Sequence, residues 1–499
     1  MAAVVTDQFR ILNASNFIDS VSDDNNSYYV FLGLPNSSGV GFGRTSDWST
    51  SDSGPPSPID NLQYLSHYKD TGIFGRKVTS TNIRRVIRKV QWTTNTAYDM
   101  YRHDYSYSNP TPNSGTSRLY DSNYYVVNSD FRVYICIDNG SSGDNLKGER
   151  SKFEPTSTVP QPFTAGSDGY VWKYLFSISP SDIIKFDSTE YIVLPNDWSP
   201  SEESDSEENN NQIKKVYIQN GGSGYIGGIY DILGDGTGAK VEISTDSNGK
   251  ITSTNVTAGG KGYTYGIVNL RRIGTIAGPA TLIPIIPPSK GHGYDVYTEL
   301  GADRVLIYAR FDDSTKDFPV DTKFSQVGIL KNPTQYSGST IFTGSSYSSL
   351  YALKLDASYT GTPTVGEKVT QTQSSTEIAK GWVASYDRDT KVLKYFKDRS
   401  LFLTDGLNQE DRSDTGVNAK IVDFNNTDSI TFTTASQATV SAGFTGSSEG
   451  AINLGMEFNG GLAEPEINKK TGDIIYIDNR PEVERNLRQK EDVKIILEF

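Results

Sequence analysis

The chain has 499 residues and a formal net charge of −13, and this acidity argues against a protein that wraps a nucleic acid backbone, because phosphate binding needs a basic surface that releases counterions. Its 46 glycines, 30 tyrosines and 21 phenylalanines favour short strands joined by turns over long helices, so the expected class is mainly β. A single cysteine, Cys136, excludes an internal disulfide and a thiolate zinc cluster.

A chain this long outgrows one hydrophobic core, and about two to four domains are expected. No window approaches the roughly 18 consecutive apolar residues of a membrane helix, and the start of the chain has no basic segment followed by an apolar run. The expectation is a protein made and assembled in a cytoplasm, with no membrane insertion. Cys136 lies within the apolar strand FRVYICI, where a buried, inert thiol is expected.

Residues 7–17 suit a short helix and Tyr28 to Leu34 a strand. The loop VGFGRTSDWSTSDSGPPSP follows, with Pro55, Pro56 and Pro58 favouring extended backbone. Its Trp48 is read either as an anchor for a partner or as the loop's own packing centre. From Thr79 to Trp92, TSTNIRRVIRKVQW places Ile83, Val86, Ile87 and Val90 at helical spacing behind a Ser80/Thr81 cap. A helix is expected there, with Arg84, Arg85, Arg88 and Lys89 mostly on its opposite face, which is either solvated or in salt-bridging contact with an acidic neighbour.

The segment 95–165 contributes a tyrosine-rich loop and strands over Asn123 to Val127 and Phe131 to Ile137. His103 beside Asp104 invites a catalytic reading, but sequence neighbours do not reach triad geometry easily and no Gly-x-Ser-x-Gly elbow supplies a nucleophile. A surface histidine is the expectation. Apolar density peaks in DGYVWKYLFSISPSDIIKFDSTEYIVLP, with a strand from Tyr170 to Ile178, a break at Pro180 and a second strand from Tyr191 to Leu194. These strands are taken as the core.

The acidic run SEESDSEENNN reads as a linker, since it lacks the turn glycine of a calcium loop. Between Ile213 and Leu270, VYIQNGGSGYIGG is echoed by NVTAGGKGYTYG, two strands entering glycine turns that end in tyrosine. No Lys-Ser/Thr follows these glycines, so a phosphate loop is not expected. His292 lies between glycines at a proline-rich return, where backbone freedom accounts for it without a ligand role. Strands follow at Val305 to Phe311 and Phe324 to Thr334, then short strands to about Gly450 that suit a barrel or sandwich, then Ile474 to Ile477 and Val493 to Leu497.

The expected organisation is a discontinuous β-sheet core with few short helices and two inserted small all-β domains. The core takes 1–210, 290–335 and 451–499; the inserts take 211–289 and 336–450. Several stretches together resemble one family, the dimeric baseplate wedge proteins of contractile-tailed, T-even-type bacteriophages. They are VGFGRTSDWS with its prolines, GSDGYVWKYLFSI with TEYIVLP, GHGYDVYTELGADRVLIYARF with FSQVGILKNP, and TGDIIYIDNRP with KIILEF.

The resemblance implies a structural virion protein of the tail baseplate, a homodimer joining other wedge proteins, with no catalytic or cofactor residues. The residues agree on their own terms: three histidines, one cysteine and no nucleophile–base pair leave little for chemistry. The competing expectations are a glycan-binding tail fibre or adhesin, which would show longer repeats, and a glycan hydrolase, which needs two paired carboxylates. Trp48, Arg76, Arg85, Trp92 and Arg480 are the candidate interface residues, chosen as aromatic or guanidinium groups near family-like loops.

Overall fold

In the computed structural model, residues 5–33, 62–199, 211–271, 278–312, 323–397, 420–485 and 489–499 are described. They build a mainly β protein, and each of its two compact units is discontinuous in sequence. The first takes Met1–Phe17, Arg84–Leu306 and Ile496–Phe499; the second takes Ile18–Ile83 and Ile307–Ile495. The glycine-rich segment 211–289 falls in the first unit and the segment 336–450 in the second. The acidic linker and the Trp48 loop lie outside the described residues.

In the first unit, alternation of aromatic and β-branched residues produces an antiparallel sheet of Tyr125–Val127, Arg132–Asn139 and Tyr170–Ser177. Its register sets Cys136 opposite Trp172 and Asn139 opposite Tyr170. Tyr134, Cys136, Tyr170 and Trp172 are all fully buried. The expected strand at Tyr191 forms over Tyr191–Val193 but joins a different partner, Ile83–Arg88, with Val86 facing Val193 and Arg88 facing Tyr191. Pro180 begins a helix, Pro180–Phe186, instead of only ending a strand: its missing N–H costs nothing in a first turn, and Ser179 caps that turn by accepting from Asp182 N at 3.2 Å.

The helix expected across 79–92 is a strand. Ile83–Arg88 is preceded by a single 3₁₀ turn, Ser80–Asn82. Ile83, Arg85 and Ile87 share one face of the strand and are all buried. Val86, on the opposite face, is buried too, so the i, i+3, i+4, i+7 spacing is met by a strand covered on both faces. Arg85 lies over a ring, Tyr297, with its guanidinium carbon 4.1 Å from the centroid.

The glycine-rich segment forms a four-stranded antiparallel sheet in the order Ile251–Lys261, Thr237–Thr245, Gly228–Gly234, Gly266–Val268, and Val216–Asn220 pairs with Thr281–Pro284. The two echoed sequences do the same job: each glycine turn delivers a tyrosine, Tyr225 or Tyr263, into the core formed with Val216, Val241, Ile243 and Ile251. Tyr225 Oη accepts from Ala280 N at 2.8 Å, and Tyr263 Oη donates to Ile232 O at 3.1 Å. Lys215 Nζ, 2.6 Å from Asp138, and Tyr217 Oη, donating to Leu146 O at 3.1 Å, fasten the segment to the rest of the first unit.

One exposed carboxylate closes this sheet's turn. Asp235 accepts from Thr264 Oγ1 at 2.5 Å and from the N–H groups of Thr264 and Tyr265 at 2.9 and 3.3 Å, and these hydrogen bonds hold its pKa down at about 2. Because the folded value lies below the ordinary carboxylate value of about 3.9, the contribution is complete above that pH and is lost as pH falls through about 2. The protection of the Thr264 and Tyr265 amides, taken relative to intrinsic exchange at each pH, is expected to fall over that acid window, and in Asp235→Asn to lose this pH dependence.

In the second unit, a five-stranded sheet runs in the order Ser346–Ser348, Gly72–Val78, Tyr28–Gly33, Lys323–Lys331, Asp473–Glu484. Phe31 stands opposite Gly75 on one side and Gly328 on the other. A Cβ at Gly75 would lie 2.2 Å from the Tyr347 ring and one at Gly328 2.4 Å from the Phe31 ring. Rings laid over cross-strand glycines therefore fix both positions. Beyond this sheet, Thr431–Phe432, Lys368–Ser374, Glu377–Asp387, Val392–Phe396, Tyr351–Lys354 and Leu462–Ala463 follow one another in a seven-stranded sheet, with Lys420–Val422 parallel to Glu377–Asp387. Leu353, Val383, Leu393 and Phe432 pack its core.

Candidate interaction surface

The Ile83–Arg88 strand and the residue after it bring a basic run to the first unit, and most of its charges are individually engaged. Arg84 pairs with Asp182 at 2.9 Å and lies over the Phe186 ring at 5.2 Å. Lys89 Nζ meets Asp187 at 2.8 Å and donates to Ser188 O at 3.1 Å. Helix Pro180–Phe186 and its exit thus supply the counter-charges for this strand. Arg88 differs: it is exposed, and its NH2 donates to two backbone carbonyls, Asp121 O at 3.0 Å and Ser122 O at 2.8 Å.

Arg88 stands at a cleft of ≈ 420 Å³ whose wall includes Tyr120, Tyr125, Tyr191, Gly301 and Arg304. Two of these tyrosines are fixed by their hydroxyls. Tyr120 Oη donates to Thr298 O at 2.8 Å and Tyr125 Oη to Arg88 O at 2.6 Å. Burial, with the nearby carboxylates of Asp7 and Glu299, pushes the Tyr120 phenol up to about 12, so it stays a neutral donor. Asp303 is raised as well, chiefly by desolvation. A second cleft of ≈ 260 Å³ lies beside Arg84 and Asp182.

The five residues singled out from sequence are not gathered in one place. Trp48 lies outside the described residues. In the first unit, Arg85 is buried against Tyr297 and does not reach the unit's surface. Trp92 is half-buried, its Nε1 donating to Ser151 Oγ at 3.1 Å. In the second unit, Arg76 donates from Nε to Arg310 O at 3.3 Å and sits 3.9 Å from Asp312. Arg480 is exposed and paired with Asp478 at 2.7 Å. The basic run containing Arg85 was legible, but Arg88 and its tyrosine cleft were missed, because the cleft is assembled from strand ends and loops distant in sequence.

His292 is buried, not merely a flexible return. Its Nδ1 lies 2.5 Å from Glu299 Oε1, while Glu299 Oε2 accepts from Gly293 N at 2.7 Å. The Tyr101 ring meets the imidazole edge-on at 4.7 Å, Tyr124 Oη donates to Glu299 O at 2.6 Å, and Lys173 Nζ donates to His292 O. The short helix Val296–Glu299, capped by Asp295, presents that carboxylate. The signal available was GHGYDVYTE itself, a histidine and an acid flanking a capped turn. The arrangement clasps a loop.

His103 is exposed, and its Nδ1 accepts from Ile286 N at 3.2 Å. Asp104 is taken by Arg102, whose Nε and NH2 reach it at 2.9 and 2.7 Å. Arg102 is itself buried, 3.8 Å from the Tyr217 ring centroid. Cys136 is fully buried, and desolvation pushes its thiol well above the usual range. Among the described residues, no group of three or more His, Cys, Asp or Glu could hold a metal ion, and no helix is long and apolar enough to cross a membrane.

No protein-family model matches the chain. The chain is 25% identical over 219 residues to Baseplate wedge protein gp8 of Enterobacteria phage T4, an alignment that takes in 39% of this chain. The chain spans 60% of the length of that relative.

Proposed function

We propose that the chain is a structural subunit of a bacteriophage tail baseplate, working in a wedge as a homodimer that joins other wedge proteins and carries the rearrangement of tail contraction. The observation that carries this reading is the similarity to the T4 baseplate wedge protein. A mainly β body in which buried charges are clasped one by one, as at Arg102–Asp104 and His292–Glu299, suits a part that bears load. The role is mechanical and not enzymatic.

Size-exclusion chromatography with light scattering is expected to return twice the chain mass, and deletion of Val493 to Phe499 is expected to abolish the dimer. A trimer would instead favour a receptor-binding fibre. Electron microscopy of intact tails is expected to place the chain in the baseplate. Its absence there, or turnover of host envelope polysaccharide by the purified protein, would overturn the reading.

A further inference from the structure

We propose that two copies of this chain meet through the outer face of the glycine-rich sheet, the apolar wall of each covering that of the other. The inference rests on the homodimer reading above and names the surface that joins the copies. Ile496–Phe499 belong to the first unit, so deletion of Val493 to Phe499 reaches this contact through the unit's folding.

Within the sheet the strands differ. Thr237–Thr245 alternates as a strand covered on one side does, with Ala239, Val241 and Ile243 buried and Lys240, Glu242 and Ser244 exposed. Gly228–Gly234 and Gly266–Val268 are apolar on both faces. Tyr230, Ile232 and Val268 join the core, while Ile229, Leu233 and Ile267 are 63%, 55% and 66% exposed, and Tyr265, two residues before Ile267, is 57% exposed. The segment is fastened to the rest of the first unit from its other strands: by Lys215 to Asp138, by Tyr217 to Leu146, and by Thr252, whose carbonyl accepts from Gly143 N at 2.9 Å. Thr252 lies on Ile251–Lys261, at the opposite end of the sheet from Gly266–Val268. Four side chains so exposed offer on the order of 500 Å², within the about 300–600 Å² of a monomer's largest apolar patch, which is often functional. With a polar rim, that approaches the about 800 Å² per partner that a specific interface buries.

The charges at the rim select the partner. Asp231 and Lys240 cancel each other at 3.1 Å. Glu242 and Arg271 are exposed, and neither has an ion-pair partner among the described residues. One unmatched charge of each sign beside an apolar stripe is complementary to itself, whereas a purely acidic or basic partner would set one of them against its own sign. The register shows how two copies close. Leu233 and Ile267 are cross-strand partners, so a two-fold axis along the strands between them lays each Leu233 on the partner's Ile267. Glu242 stands opposite Ile229, at the end toward which Gly266–Val268 runs, and Arg271 follows that strand by three residues. The same axis carries each Arg271 toward the partner's Glu242.

Sedimentation equilibrium of the full chain over a range of concentrations tests this. The unaltered protein is expected to be a dimer, and I267K, which buries two lysines per dimer, is expected to weaken it at least about tenfold. R271E is expected to weaken it as well, and E242R combined with R271E to restore it. S253E, on the polar half of the same face, is expected to leave it unchanged. All four positions are exposed, so each variant is expected to melt with the unaltered protein. A dimer left intact by I267K, or weakened by R271E without rescue by the double substitution, overturns this inference and leaves the homodimer reading standing. A monomer at every concentration overturns both. A monomer that floats with phosphatidylcholine vesicles, and ceases to do so as I267K, would assign the wall to lipid and overturn the proposal too.

Discussion

Trp172→Ala is expected to cost the first unit about 3–5 kcal/mol, the usual result of emptying a buried indole site. Trp172 is fully buried, stacked on Tyr170 at 5.3 Å between ring centroids and edge-on to Tyr98 at 5.9 Å. Alanine would remove the centre of that aromatic group and leave Tyr98, whose backbone N–H is held by Tyr170 Oη at 2.9 Å, without its neighbour. A second substitution separates ring from polar atom. The indole Nε1 is buried without a hydrogen-bond partner among the described residues, and an unmet donor costs about 1–3 kcal/mol. Trp172→Phe keeps an aromatic body and removes that donor, so its loss is expected to stay within about 1.5 kcal/mol. Denaturant melts of the three proteins, followed by far-ultraviolet circular dichroism, decide the matter. A Phe variant as damaged as the Ala variant would mean that the indole's shape, not its apolar area, sustains the site.

The second large effect is expected at Glu299. Its carboxylate serves two buried donors, His292 Nδ1 and Gly293 N, and its side chain is completely enclosed. Glu299→Ala abandons both in a site that water does not reach, for a loss on the order of 3 kcal/mol. In a unit of this size that loss lowers the melting temperature by on the order of 10 °C. Glu299→Gln keeps an acceptor for Gly293 N and is expected to lose about half as much. Differential scanning calorimetry at neutral pH reads both. Equal melting of the Ala variant and the unaltered protein would show that the clasp contributes nothing to stability.

The strands built from aromatic and β-branched runs were legible, because burial on both faces demands such composition wherever the strand ends up. Tyr170–Ser177, Arg132–Asn139 and Arg304–Phe311 formed within a few residues of where sequence placed them. The 83–90 stretch was not legible. Its apolar residues satisfy the helical period, and the structure accommodates them on both faces of a strand whose partners, Tyr191–Val193 in the sheet and Tyr297, Asp182 and Asp187 at the side chains, are all about a hundred residues or more away. The His292–Glu299 clasp escaped notice because glycine on both sides offers an easier account of a histidine than a hydrogen bond seven residues ahead. The Arg88 cleft was invisible for a plainer reason: tyrosines 120, 125 and 191 meet an arginine at 88 only once three separate segments have folded. Of the chosen interface residues, Arg85 illustrates the general difficulty, since a guanidinium buried on a ring and one awaiting a partner look the same in a string of letters.

The chain divides at 17/18, 83/84, 306/307 and 495/496, so each unit includes residues from the final stretch of the polypeptide. Each unit is complete only once the residues around 495 have been made. During synthesis the earlier strands must wait with apolar faces uncovered, a state in which sheet edges find the wrong neighbours. Slower translation across residues 400–499, or a holdase present while they are made, is therefore expected to change the soluble yield of this protein.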